Sequence, residues 1–180
     1  MLVINDHKID GIDYIPSPNC EERPKNFFPE IIVIHAISLP PKEYGGDYVE
    51  KFFLNKLKIS DHEYFKEIKD LKVSSHLYIK RDGEIIQFVP FNKRAWHAGE
   101  SSFNGEFDCN DFSIGIELEG SDCDKFTDHQ YQVLIDVTKQ LMKKYPDIKK
   151  NSIKGHSDIA PGRKTDPGGK FEWTRYLSKI

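Results

Sequence analysis

The chain contains no run of eighteen apolar residues, so no segment of it is built to cross a bilayer as a helix. It also lacks a basic surplus. Its 26 Lys and Arg face 29 Asp and Glu, and a net charge of −3 leaves no electrostatic footprint for nucleic acid. Cysteine is scarce: Cys20, Cys109 and Cys123 are an odd number without CxxC spacing, which suits reduced thiols better than a disulfide framework or a thiolate metal site. Repeats and low-complexity segments are absent. The N-terminus meets acid at Asp6 and has neither a basic n-region nor an apolar h-region, so the expectation is a cytoplasmic protein without a signal peptide. No membrane insertion, no nucleic-acid partner and no obligatory protein partner are expected.

What is present is enough for a core. With 180 residues and 38% hydrophobic content, one compact domain over residues 1–180 is expected. Ile31-Ile32-Val33-Ile34 reads as a central strand buried on both faces, ending in His35. Asp47 to Leu57 carries Tyr48, Val49, Phe52, Phe53 and Leu57 on one stripe, predicting a short helix behind an Asp cap, and residues 62–70 are read as helical too. His76–Lys80 and Glu84–Val89 flank Arg81-Asp82-Gly83 as a hairpin in which Asp-Gly supplies the positive φ angles. Phe112 to Glu119 alternates, with Phe112, Ile114, Ile116 and Leu118 on one face and Ser113, Gly115, Glu117 and Glu119 on the other. Thr127 and Gln130 form a capping box for a long helix stopped by Pro146, and a last helix starts near Phe171. Strands interspersed with helices imply an α/β domain, a mixed sheet flanked by helices.

The chemistry-bearing residues lie far apart in sequence. His35 is answered by Gly155-His156-Ser157-Asp158 through Arg163-Lys164-Thr165-Asp166, a segment that looks too rich in Gly and Pro to be helical. Two neutral imidazoles and a carboxylate are ligands that Zn²⁺ favours, with the fourth tetrahedral position left to water. His76 and His97 remain rival ligands, and either Asp158 or Asp166 fits. Glu117 and Glu119 share a strand face. If helices cover both faces of the sheet, one of them is buried and needs a partner or a task. Lys164 is placed to offer a cation to an oxyanion. Each of these also has a plainer reading, as a hydrogen-bonded rim histidine, a solvent-facing strand glutamate or a solvated loop lysine.

At these residues the sequence resembles the 1,6-anhydro-N-acetylmuramyl-L-alanine amidases of cell-wall recycling, the AmpD type. The resemblance covers about residues 12 to 176. It rests on Ile37-Ser38-Leu39-Pro40-Pro41, Arg81–Ile85, Val89–Gly99, Cys109–Gly120 and the His156–Gly168 segment. It implies the mixed-sheet fold shared with peptidoglycan-recognition proteins and phage amidases, and one Zn²⁺ per chain on His35, His156 and Asp166. It also implies Glu117 and Lys164 as catalytic partners and an anhydro-muropeptide substrate cut between the lactyl group and L-alanine. Trp96, Lys72, Arg163 and His97 are the implied substrate contacts. Ala36, Lys72 and Asp108 depart from the family pattern, where an asparagine, an arginine and a basic residue are usual. Two other readings stay open: a zinc amidase acting on intact wall peptidoglycan, and a non-catalytic peptidoglycan-binding module on the same fold.

Overall fold

The computed structural model describes residues 2–180. Its centre is a six-stranded sheet of β1 (Asp13–Tyr14), β2 (Ile31–Ile37), β3 (Leu77–Ile79), β4 (Ile85–Gln87), β5 (Ser113–Glu119) and β6 (Ile153–Gly155), in the order β6-β2-β5-β3-β4-β1. All neighbours run parallel except the β3–β4 hairpin. The sheet is therefore mixed, as expected. Among the described residues five α-helices accompany it: α1 (Tyr48–Phe53), α2 (Phe65–Ile68), α3 (Asp128–Lys144), α4 (His156–Ile159) and α5 (Trp173–Leu177). No helix among the described residues is long and apolar enough to cross a membrane.

The period-2 geometry of the two central strands divides the molecule into a structural side and a chemical side. Ile32 and Ile34 of β2 and Ile114, Ile116 and Leu118 of β5 pack with Tyr131, Leu134, Val137 and Leu141 of α3 in one core cluster. The alternate residues of β5, Ser113, Gly115, Glu117 and Glu119, point the other way. They are buried too, Ser113 and Gly115 against the His97 ring and Glu119 beneath the loops that carry Gly45 and Arg81. The plainer reading of Glu117 as a solvent-facing residue is thereby overturned.

Helix α3 begins where its sequence signature places it. Gln130 N–H donates to Thr127 Oγ1 at 3.1 Å, and Thr127 N–H donates to Gln130 Oε1 at 3.0 Å. The Gln130 amide also donates to the carbonyls of Ile79 and Glu119, so the cap fastens the helix to β3 and β5. Thr127→Ala should lower unfolding stability by about 1 kcal/mol, with activity retained. A urea midpoint unchanged from wild type would show that the cap does not bear on the fold.

Three local expectations need correction. Helix α1 stops at Phe53 rather than Leu57, because Asn55 turns into the left-handed region at φ 58°. Its Asp47 makes no side-chain cap and instead pairs with Lys51 at 2.7 Å. The helix expected over 62–70 contracts to Phe65–Ile68. At the hairpin only Gly83 takes positive φ, 92°, while the Asp82 carboxylate accepts the Glu84 N–H at 2.9 Å.

Candidate active site

Adjacent strands deliver the two histidines. Gly155 of β6 pairs with Ile34 of β2, so His156, the next residue after β6, arrives beside His35. His156 opens the single turn of α4, which corrects the expectation that this segment is too rich in Gly and Pro for a helix. The turn forms because Asp158 accepts the Gly155 N–H at 2.7 Å, a cap at the third helical position. Asp158 is thus engaged in holding the helix. Asp166 comes from the loop beyond, tied back by the Ser157 N–H donating to the Asp166 carbonyl at 3.0 Å.

One atom each from His35, His156 and Asp166 then converges, and all three residues are buried. The Nδ1 atoms of the histidines lie 2.9 Å apart, and Asp166 Oδ2 is 3.1 and 3.2 Å from them. His156 Nε2 lies 3.0 Å from the Ala98 carbonyl, which can only accept, so this nitrogen carries the proton and Nδ1 keeps its lone pair. Burial lowers the His35 pKa to about 4, so its imidazole is neutral at physiological pH. With its proton on Nε2, 2.9 Å from His97 Nδ1, His35 would present a lone pair beside those of His156 and Asp166, an arrangement that suits a cation. Tetrahedral zinc with bonds of about 2.0–2.2 Å asks for donor separations of roughly 3.4 Å, close to the triangle found. The cluster fits a metal ion.

Register places the carboxylate. Glu117 sits directly opposite His35 in the parallel β2–β5 pair, so both side chains share one sheet face. Its Oε2 is buried without a hydrogen-bond partner. Burial, and then the charge of Asp166, push its pKa well above the usual 4.5, while Lys164 pulls it down. Glu119 has different work: one oxygen accepts the Arg81 N–H at 3.0 Å and the other accepts the Gly45 N–H, pinning two loops to the sheet.

Glu117, Lys164 and the three metal-site residues line one cavity of about 440 Å³. Leu39, Phe52, Tyr64, Ile68 and Leu71 give it an apolar lining as well. His97 also lines the cavity and lies behind His35, its Nδ1 2.9 Å from His35 Nε2. The other residues implied as substrate contacts, Lys72, Trp96 and Arg163, do not line this cavity themselves, although Arg163 comes within 3.4 Å of His156 Nε2. Lys72 lines a separate hollow with Asn55, Leu57 and Ile59. Trp96 donates its indole N–H to Glu21 at 3.1 Å. Arg163 donates to the carbonyls of Ala98 and Glu100, which converge on it around Gly99 at φ 57°. Asp108 is exposed and takes left-handed φ, 58°, just before the turn Cys109–Asp111. Sequence reasoning did not find Gly120, Ser121, Asp122 and Cys123, which also line the cavity and follow β5 directly.

The N-acetylmuramoyl-L-alanine amidase family model matches residues 25–169, a span that contains every residue of this cavity. The chain belongs to that amidase family. It is 53% identical over 166 residues to the 1,6-anhydro-N-acetylmuramyl-L-alanine amidase AmpD of Escherichia coli, covering 92% of this chain and 90% of that protein. A crystal structure of a selenomethionine AmpD derivative superposes with a TM-score of 0.96 at 48% identity, covering 100% of this chain and 99% of that one. The E. coli amidase AmiD, solved with anhydro-N-acetylmuramic acid-L-Ala-D-γ-Glu-L-Lys, has a TM-score of 0.61 at 27% identity. That match covers 99% of this chain and 65% of that chain. The amidase fold and the mixed sheet of the family are thus those of this chain.

Proposed function

We propose that the protein is a zinc-dependent amidase that hydrolyses the bond between the lactyl group of 1,6-anhydro-N-acetylmuramic acid and L-alanine, with one Zn²⁺ per chain on His35, His156 and Asp166. The observation that carries this reading is the unpartnered Glu117 carboxylate, held in register beside the three converging donors. A zinc ion bound there would supply the Lewis acidity that activates a water and polarises the amide carbonyl.

The chain's own groups do the remaining work. Glu117 takes the proton from the attacking water, for which a carboxyl that burial holds above the usual carboxylate range is suited. As the new C–O bond forms, negative charge gathers on the former carbonyl oxygen, and the Lys164 ammonium at the cavity wall stabilises it. When the C–N bond breaks, protonated Glu117 returns its proton to the departing L-alanine nitrogen. No side-chain nucleophile is required. Leu39, Phe52 and Tyr64 add an apolar lining to the same cavity, which lowers the number of waters that compete at the bound amide.

The substrate class is supported by the AmpD relatives at about half identity and by the muropeptide in the AmiD complex. A cytosolic place suits the three cysteines, all free. Purified enzyme should cleave soluble anhydro-muropeptides far faster than isolated sacculi. Comparable turnover of the two would replace this reading with a wall amidase, and no turnover of either with zinc bound would leave a binding module.

A further inference from the structure

The geometry points to the dipeptide His97-Ala98 as a shared outer support for both histidines of the metal site, with Asn110 as the positioning residue that sets its register. This rests on His35 and His156 being metal ligands. The His97 ring and the Ala98 carbonyl address different ligands from one stretch of chain: His97 Nδ1 lies 2.9 Å from His35 Nε2, and the Ala98 carbonyl lies 3.0 Å from His156 Nε2. For both ligands to turn an Nδ1 lone pair to the centre, both Nε2 atoms must donate. His97 then accepts at Nδ1 and donates from Nε2 to Ser113 Oγ, 3.0 Å away. One assignment of protons satisfies the whole chain of contacts.

The dipeptide is itself held by Asn110, by the β5 backbone and by Arg163, which donates to the Ala98 carbonyl. Asn110 Oδ1 accepts the N–H groups of both His97 and Ala98, at 3.0 and 2.8 Å, from a buried position. On the other side the His97 ring lies flush on β5 at Gly115, where an added Cβ would fall 2.5 Å from the ring. Glycine is required there by the close approach. Arg23 donates to the carbonyls of Asn110, Asp111 and Ser113, fixing the turn that presents Asn110. A shift of the dipeptide would therefore move the acceptors of both imidazoles together, and the separation of their Nδ1 atoms with them.

Zinc affinity of the folded protein tests this, measured by competition with a chromogenic chelator well below the melting temperature. Asn110→Asp keeps an oxygen that can accept both N–H groups, whereas Asn110→Leu keeps the volume without it. The leucine variant should bind zinc ~10 to 100-fold more weakly, and the aspartate variant should stay near wild type. If Asn110→Leu does not fold, His97→Leu against His97→Gln poses the same question at the His35 end, since only glutamine offers an acceptor. Folded leucine variants with wild-type zinc affinity would overturn the support while leaving the metal site standing. A wild-type protein that binds no zinc would overturn both. Melting of the metal-free variants separates the two roles, because a merely structural Asn110 lowers the melting temperature and leaves the zinc Kd of the folded protein where it was.

Discussion

Glu117→Gln should keep its zinc, lose at least ~10²-fold in kcat, and melt higher than the wild type when both are metal-free. The kinetic loss follows from the proton path, because the amide occupies the same space but can neither take the proton of the attacking water nor return it to the leaving nitrogen. The gain in stability follows from burial. In the unfolded chain this carboxyl titrates near 4.5, and in the folded chain burial and Asp166 hold it well above that value. Below the unfolded value both states are protonated and the side chain contributes no pH dependence. As pH rises from there through the folded value, the unfolded state releases its proton first, so ionisation progressively destabilises the fold. The melting advantage of Glu117→Gln should therefore be small near pH 4.5 and larger at pH 8. Glu119→Gln should do the reverse: its carboxylate fixes the Arg81 and Gly45 amides, so stability drops and kcat changes little. Melting curves and steady-state rates on the four proteins, wild type, the two single variants and the double variant, decide the matter. If the two glutamates ranked the other way in kcat, the general base would be Glu119.

That contrast shows where the sequence is legible. Alternation along Phe112–Glu119 puts both glutamates on one face, and composition can go no further. What separates them is register: Glu117 faces His35 because β2 and β5 are parallel and aligned Ser113 to Ile31, a pairing between segments about eighty residues apart. Helix α3 is legible for the opposite reason, since its cap, stripe and stop are all local. The same holds for the β2 strand, whose apolar run needs no partner to be recognised. Trp96 and Arg163 are less readable because distant partners direct them, Trp96 through Glu21 on the strand paired with Lys93–Ala95 and Arg163 through the carbonyls of Ala98 and Glu100 around Gly99. Asn110 lies in the Cys109–Gly120 block of the resemblance, but nothing in the sequence gives it a role, and only the folded chain shows its side chain bonded to two amides twelve and thirteen residues back.

Stripping the metal should abolish turnover, with return of activity on adding one equivalent of zinc, and Asp166→Asn should block that return. The reason lies in the triangle of 2.9, 3.1 and 3.2 Å between lone-pair atoms. A cation bound by the wild type would relieve this crowding, and zinc that binds the folded state alone should raise stability by roughly 2.7 kcal/mol at one hundred times its Kd. Replacing the Asp166 carboxylate by an amide removes the one formal charge and puts an N–H donor among the imidazole nitrogens. The hydrogen bond it forms holds the variant's metal-free state together without an ion. Metal-free Asp166→Asn should then melt no lower than metal-free wild type, yet show little rise on adding zinc, while the wild type rises steeply. A His156→Ala variant separates charge from donor number: it keeps the carboxylate, loses one neutral ligand, and should likewise lose the zinc-dependent rise. If Asp166→Asn and His156→Ala both kept the wild-type zinc shift in melting temperature, the ion would be held elsewhere, and His97, packed edge-on against His35 at 4.9 Å between ring centres, would be the residue to change next.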